Sequence, residues 1–165
     1  MKIGFVCLVA GIGILAWGQS LEELRNLGKA FYENPTTQKE AVEVLEKAWR
    51  ANPNSARERL NYGLALLRAG RNAEAVEELL AVQKQAPEIP HTWFTLGVEY
   101  KKQGEAEKAL VQMEGAKRLD GREPMIRYNL GVLQKQLGNL ERAVAEFEAA
   151  RDLDAGLAGA RFQLF

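Results

Sequence analysis

The sequence has very few of the side chains that most catalytic and metal sites use. It contains one cysteine, Cys7, and one histidine, His91, in 165 residues. No phosphate-binding glycine loop and no cluster with metal-ligand spacing is present. These absences exclude the common thiol, metal and nucleotide enzymes, so we predict a protein without a catalytic site, a metal or a cofactor. We interpret His91 as an exposed or groove-edge polar residue in the first turn of a helix that begins at Pro90.

An excess of either charge is also absent. Lys plus Arg and Asp plus Glu each total 22, so the formal net charge is 0. Such a chain has no overall field that attracts nucleic acid or an anionic membrane surface, and we predict no nucleic-acid partner. With 47% hydrophobic and 27% charged residues, the composition is that of a soluble globular protein.

One long apolar run lies at the N-terminus. Lys2 precedes apolar residues 3–16, and small and polar residues follow around Gly18. This arrangement is typical of a secretory signal peptide, and we predict that residues 1–18 are removed by cleavage after Gly18. The alternative is an uncleaved membrane anchor, because the charge-free stretch approaches the roughly 20 residues of a spanning helix. Cys7 lies inside the apolar run after Val6, which does not fit a lipid-attachment site.

The N-terminal pattern predicts an exported protein that is periplasmic or secreted. Cleavage would remove Cys7, so the exported chain would hold no disulfide in an oxidising compartment. No Asn-x-Ser/Thr glycosylation acceptor occurs in the sequence. Stability must then come from packing alone.

Internal repetition dominates the rest of the chain. Four glycines recur at an almost constant interval, and an alanine follows each of them by thirteen residues in the first case and by twelve in the others. A large apolar residue follows each alanine by four. Small residues let helices approach and large ones fill the gaps, so the pattern predicts closely packed helix pairs. The successive sets are Gly28, Ala41 and Leu45; Gly63, Ala75 and Leu79; Gly97, Ala109 and Met113; Gly131, Ala143 and Phe147.

Signals for helix boundaries recur with the same period. A glycine ends the first helix of the later units, whereas the first unit has Asn34, Pro35 and Thr36 at this point and is one residue longer. Three capping-box pairs and two prolines predict where helices begin. The pairs are Ser20 with Glu23, Thr37 with Glu40, and Ser55 with Glu58, and the prolines are Pro90 and Pro124.

The later units carry a recognisable motif. WFTLGVEYKKQG, EKAL and AKRLD in the third unit, and RYNLGVLQKQLG and ERAVAEFEAARDLD in the fourth, alternate aromatic, leucine, glycine and small residues. On these segments the chain resembles the tetratricopeptide repeat family over residues 21–157. Pro53 and Pro87 match the proline that closes a unit of that family. The departures are Gly121 and Ala155 in place of that proline, Gln134 in place of an aromatic residue, and Val82 in place of an alanine.

The resemblance implies an all-α fold, a right-handed α-solenoid of stacked antiparallel helix pairs. The four units are predicted at residues 21–54, 56–89, 90–123 and 124–157. Residues 158–165 are in frame to begin a fifth first helix and include Phe162, Leu164 and Phe165. We interpret them as a short terminal helix that covers the last unit, with a truncated unit or a segment buried against a partner as alternatives.

In this family, one stripe of each unit's first helix lines the concave groove of the solenoid. The matching residues are charged in the first unit and apolar in the later ones, so the resemblance implies a groove with apolar anchors for an extended or helical peptide. The alternative is that these side chains pack on neighbouring helices. Lysines and asparagines that grip a peptide carboxylate in some members are replaced here by apolar residues. The stripe comprises Arg25, Lys29, Leu60, Leu64, Leu67, Phe94, Val98, Tyr128 and Val132.

Cations recur where the first helices end. Arg68 and Lys102 are separated by one repeat interval, as are Lys101 and Lys135, so stacking predicts a basic rim along the groove. Such a rim would attract an acidic partner and weaken its binding at high salt. The alternative is that these cations only stabilise helix C-termini, at about 0.3–1 kcal/mol each.

We therefore predict an exported, non-enzymatic adaptor that binds a protein or peptide and has no small-molecule substrate. Its predicted groove residues are the apolar anchors Leu60, Leu64, Phe94, Val98, Tyr128 and Val132, and the rim residues Lys101, Lys102 and Lys135. Two alternatives remain open. The chain is an accessory segment of a larger envelope enzyme or assembly, or it is a structural protein that associates with itself through its C-terminal end.

Overall fold

The computed structural model describes residues 19–154, and these residues form α-helices and turns without a strand. Each helix packs against the helix that follows it in the sequence. The all-α prediction is therefore confirmed. The helices are α1 (Leu21–Glu33), α2 (Gln38–Ala51), α3 (Ala56–Arg68), α4 (Asn72–Gln85), α5 (Pro90–Lys102), α6 (Ala106–Leu119), α7 (Pro124–Gln136) and α8 (Leu140–Leu153).

The helix starts follow most of the sequence signals. Pro90 and Pro124 are the first residues of α5 and α7, as predicted. Ser20 forms the complete capping box, because its Oγ accepts from the Glu23 amide at 3.2 Å and the Glu23 carboxylate accepts from the Ser20 amide at 2.7 Å. Ser55 Oγ accepts from the Glu58 amide at 3.3 Å.

The capping box predicted at Thr37 is wrong. Thr37 precedes α2, but its side chain makes no capping hydrogen bond to that helix. Its Oγ1 donates instead to the carbonyl oxygen of Phe31, at 3.0 Å. The hydroxyl thereby satisfies a carbonyl at the end of α1, and in this position it accepts no hydrogen bond from the amides of α2.

The turns inside the units confirm the extra residue of the first one. Residues 34–37 join α1 to α2, whereas three residues join each later pair, 69–71 in the case of α3 and α4. Those shorter turns pass through glycines with φ of 75°, 79° and 78°, a conformation that side chains with a Cβ rarely adopt. These residues are Gly70, Gly104 and Gly138.

Within each unit, the repeated glycine of the first helix lies against the large residue of the second. A Cβ placed on Gly131 would lie 2.5 Å from the Phe147 ring, and one on Gly28 would lie 2.5 Å from Leu45. Gly63 meets Leu79 and Gly97 meets Met113 in the same way. The predicted close approach of the paired helices is thus confirmed in all four units.

The core between the pairs consists of separate apolar clusters. One joins units 1 and 2 and includes Val42, Leu45, Tyr62 and Leu66. A second joins units 3 and 4, and a third lies inside unit 1. Successive units therefore stack side by side along the chain, as in an α-solenoid.

Two departures from the family pattern are buried in this stack. Gln134 is 3% exposed, and its Oε1 accepts from Asn139 Nδ2 at 2.9 Å. Val82 is completely buried. Both fit within the fold, Gln134 because the turn residue Asn139 satisfies its carbonyl.

The predicted signal peptide at 1–18 and terminal helix at 158–165 lie outside the described residues and stay predictions. The helices between residues 19 and 154 are all too short or too polar to cross a membrane.

Candidate functional site

The first helices α1, α3, α5 and α7 line one surface of the stack, which we call the first-helix groove. All six predicted apolar anchors lie on these helices, and all six are partly exposed. The packing residues beside them differ, since Leu66, Leu96 and Leu130 are completely buried. The partly exposed anchors are Leu60, Leu64, Phe94, Val98, Tyr128 and Val132.

Several of these anchors are held by the core beneath them. Phe94 and Val98 pack against the cluster that joins units 3 and 4. The ring of Tyr128 lies 5.8 Å from that of Phe147, tilted by 51°. Part of each of these side chains therefore serves packing, and the rest is exposed.

The predicted rim cations have internal partners. Lys101 is partly buried, its Nζ donates to Asn129 Oδ1, and Asn129 in turn donates to the Met125 carbonyl at 2.8 Å. Burial and, to a smaller extent, the neighbouring charge of Lys102 lower the pKa of Lys101. Lys102 is exposed, with its Nζ 3.4 Å from a Glu99 oxygen.

The rest of the rim is exposed. Lys135 lies on the surface of α7, and the guanidinium of Arg68 lies over the Tyr32 ring, 4.9 Å from its centre. The charged rim therefore stays a prediction, in which Lys102 and Lys135 are the more accessible members and Lys101 also links α5 to α7.

A cavity of about 300 Å³ opens between α1 and α3, and we call it the basic cavity. Three cations and two amides line it, and no acidic side chain among the described residues does so. Its residues are Arg25, Asn26, Lys29, Tyr32, Leu45, Arg57, Asn61 and Leu64.

One of these cations is part of an ion pair between units. Nε and an Nη of Arg25 donate to Glu58 Oε1 at 2.8 and 2.5 Å. This hydrogen bond raises the pKa of Arg25. Glu58 is completely buried, so the pair also balances a carboxylate that would otherwise be costly inside the stack.

A second cavity, of about 440 Å³, lies between α5 and α7, and we call it the acidic cavity. Phe94, Met125 and Ile126 supply its apolar wall, and the carboxylates of Asp120 and Glu123 line it. No lysine or arginine among the described residues lines this cavity, which is completed by Pro90 and His91.

Sequence reasoning missed three of the charged residues that line the two cavities, Arg57, Asp120 and Glu123. Arg57 lies one repeat interval before His91 and two before Met125, so these residues occupy the same place in successive first helices, one turn before Leu60, Phe94 and Tyr128. The repeat period could have identified Arg57. Glu58 gave no such signal, since its spacing from Ser55 indicated a capping box and said nothing of its ion pair with Arg25.

Metal binding finds no support in the described part of the chain. No group of three or more His, Cys, Asp or Glu residues between 19 and 154 could hold an ion. His91 is exposed in the first turn of α5, where the sequence placed it.

Solved structures with the same architecture are known. A MamA protein, described as an RS-1 double mutant, superimposes with a TM-score of 0.80 at 22% identity, covering 90% of this chain and 83% of that one. A MamA fragment from Desulfovibrio magneticus RS-1 gives the same TM-score and identity, covering 90% and 84%. A tetratricopeptide repeat protein from Parabacteroides merdae superimposes at 0.78 with 26% identity, over 88% of this chain and 58% of that one. No protein with a curated description matches the sequence.

Two family models described as tetratricopeptide repeat match residues 39–91 and 94–158, together more than two thirds of the chain. The solved structures agree with this match in fold, and the repeated glycine contacts give its physical basis. The predicted all-α solenoid is thereby confirmed. The chain belongs to the tetratricopeptide repeat family.

Proposed function

We propose that this protein is an exported adaptor that binds a segment of a partner protein in the first-helix groove. One observation carries the proposal. Apolar side chains at equivalent positions of α3, α5 and α7 are partly exposed along one surface. Other apolar residues of the same helices, such as Leu66, Leu96 and Leu130, are completely buried. Aligned anchors of this kind fit the alternate apolar residues of a bound peptide.

Family membership supports a role in protein–protein interaction, because these repeats form extended binding surfaces. The proposed anchors are the six apolar groove residues, and Lys101, Lys102 and Lys135 form the proposed rim. Export rests on the sequence of residues 1–18. Mass spectrometry of the N-terminus of the purified native protein tests it, and an intact residue 1 would contradict cleavage.

The groove is tested with a matched pair of variants. Phe94→Asp places a charge among the anchors, whereas Val111→Asp places the same charge on the second helix α6, where Val111 is 63% exposed. We expect Phe94→Asp to lose partner capture from envelope extract by about tenfold or more, because charges are costly in an apolar anchor pocket. Val111→Asp should capture normally.

Folding must be followed in both variants, since Phe94 also packs against the core of units 3 and 4. Circular dichroism and urea unfolding supply that control. Equal capture by the two variants would contradict the groove proposal. Loss of helical structure in Phe94→Asp would instead assign Phe94 to the core, and Leu64→Asp would then test the groove from unit 2.

Self-association through α8, the final helix of the described residues, is a second candidate, favoured by the exposure of that helix. Val144 is 43% exposed, whereas the equivalent Val42 of α2 is 3% exposed and buried in the cluster with unit 2. Among the described residues nothing stacks on α8. Light scattering over a concentration series tests this candidate. A monomeric mass at all concentrations, unchanged in Val144→Asp, would contradict it.

A further inference from the structure

The two cavities of the first-helix groove carry opposite charge. The basic cavity is lined by Arg25, Lys29 and Arg57, and the acidic cavity by Asp120 and Glu123. The net charge of the whole chain is 0, so this separation is invisible in the composition.

The charges of the basic cavity are only partly used inside the protein. Glu58 neutralises Arg25 through Oε1, and Lys29 lies 3.8 Å from Glu33 on the same helix. Arg57 is exposed and forms no ion pair within residues 19–154. The cavity therefore keeps a positive potential and can accept carboxylates, with the Asn26 and Asn61 amides beside it as further donors.

The acidic cavity has the opposite property. Asp120 and Glu123 are exposed, and neither forms an ion pair with another described residue. Glu123 Oε1 accepts from the Met125 amide at 3.3 Å, which leaves its other oxygen available. Phe94 and Met125 lie beside these carboxylates, so a lysine or arginine could bury its methylenes on the apolar wall and pair its charge with the acids.

The spacing of the cavities limits the length of what can reach both. They are two unit steps apart. Each step is at least the separation of directly packed helices, about 8–10 Å, so the cavities are at least roughly 16–20 Å apart. An extended peptide covers that distance in about six residues at about 3.3 Å each. The apolar anchors of α3 and α5 lie between the two ends.

We infer that the first-helix groove recognises a peptide segment of mixed charge, with acidic side chains at one end, apolar residues in the middle and a basic side chain at the other end. This inference rests on the proposed function and adds the chemistry of the partner. Charge complementarity at both ends sets the direction in which the segment lies, and segments with the same charge at both ends are rejected at one cavity.

A displayed library of random twelve-residue peptides, selected on the full chain, tests the inference. Two charge reversals serve as probes: Arg57→Glu in the basic cavity and Asp120→Lys in the acidic one. Both are compatible with folding, because a glutamate is favourable in the first turn of α3 and a lysine is favourable just after the end of α6. Arg118→Glu, an exposed position on α6, is the matched control.

We expect the native chain to enrich peptides that are acidic at one end and basic at the other. Arg57→Glu should shift the enrichment to peptides that are basic at both ends. Asp120→Lys leaves Glu123 opposite one cation, so it should abolish the preference for a basic residue at that end. For a peptide selected on the native chain, Arg57→Glu should weaken binding about tenfold at low salt, whereas Arg118→Glu should leave it unchanged.

The failures are distinguishable. Two outcomes would overturn the inference and leave the proposed groove binding standing. In one, the enriched peptides need Phe94 but show no separation of charge. In the other, the charges of the enriched peptides do not change in the two variants. If no peptide is enriched over a Phe94→Asp control, the groove does not bind short segments, and the proposed function fails together with the inference.

Discussion

Two interfaces of the same solenoid differ in chemistry. Between units 3 and 4, Ile126, Leu130 and Leu133 are 2%, 0% and 0% exposed and pack in one apolar cluster with residues of α6. The residues one repeat earlier are Thr92, Leu96 and Glu99, which are equally buried. Because they are equivalent by the repeat, these three residues face unit 2. Two of the three positions that are apolar between units 3 and 4 are therefore polar between units 2 and 3, which we call the middle interface.

The polar groups of the middle interface are poorly satisfied. Thr92 Oγ1 has no hydrogen-bond partner in the described part of the chain. The Glu99 carboxylate has Lys102 Nζ at 3.4 Å and Gln103 Nε2 at 3.5 Å, both near the limit of a hydrogen bond. None of the three apolar clusters described above spans units 2 and 3.

This difference shows that the residues that pack inside a unit and those that contact the next unit can vary independently. Inside each unit, the repeated glycine lets the two helices approach closely over the large residue of the second helix. The contact positions can then vary, as the Arg25–Glu58 ion pair between units 1 and 2 also shows. We expect the interface between units 2 and 3 to be the one that opens first when the stack unfolds.

The largest loss of stability should come from placing a glutamate, as found at Glu99 between units 2 and 3, at the equivalent Leu133 between units 3 and 4. Leu133→Glu buries a carboxylate without a cation beside it, and we expect a loss of about 4 kcal/mol in the free energy of unfolding. Urea unfolding followed by circular dichroism measures this. A loss below about 1 kcal/mol would mean that the two interfaces tolerate charge equally.

Ile126→Thr makes the corresponding exchange at the other contact position. The substitution removes apolar volume and buries a hydroxyl, so we expect a loss of about 2 kcal/mol by the same measurement. The opposite change in polarity at the equivalent position of the middle interface, Thr92→Val, is the matched control and should raise the free energy of unfolding slightly. If both exchanges destabilise by the same amount, the polarity of the middle interface is not a weakness.

Glu99→Leu should sharpen the comparison in the opposite direction. Replacing a buried, poorly paired charge by an apolar residue is often stabilising, and we expect a gain of about 1–2 kcal/mol. Native-state hydrogen exchange should show the amides of α4 and α5 becoming more protected while those of α7 change little. Faster exchange in α4 and α5 would indicate that Glu99 holds the interface together.

Much of the fold could be predicted from the repeat. The constant repeat interval located the helix pairs and the contact between Gly131 and Phe147, because close packing requires a small residue opposite a large one. The hydrogen bonding of Thr37 could not be predicted from the sequence. Its hydroxyl donates to the carbonyl oxygens of Phe31 and Asn34, which the longer first turn brings within reach, and does not cap α2. The burial of Glu58 could not be predicted because its partner, Arg25, belongs to the preceding unit and is distant in the sequence.

The candidate site divides in the same way. The shared face of Leu64, Phe94 and Val132 follows from helical and repeat periodicity, and the structure leaves these residues partly exposed. The partner of Lys101 does not follow from either, because its hydrogen bond to Asn129 depends on how α5 and α7 stack.

By itself, the sequence determined the number of helix pairs in residues 21–154, the packing inside each pair and the face that carries the apolar anchors. These features depend on local periodicity and on side-chain size, which a repeat displays directly. The tertiary structure alone decided which interfaces are apolar, which charges are neutralised and how the remaining charges divide between two cavities. Those features arise only when side chains from neighbouring units meet, because the energy of each charge depends on its burial and on its distance from other charges.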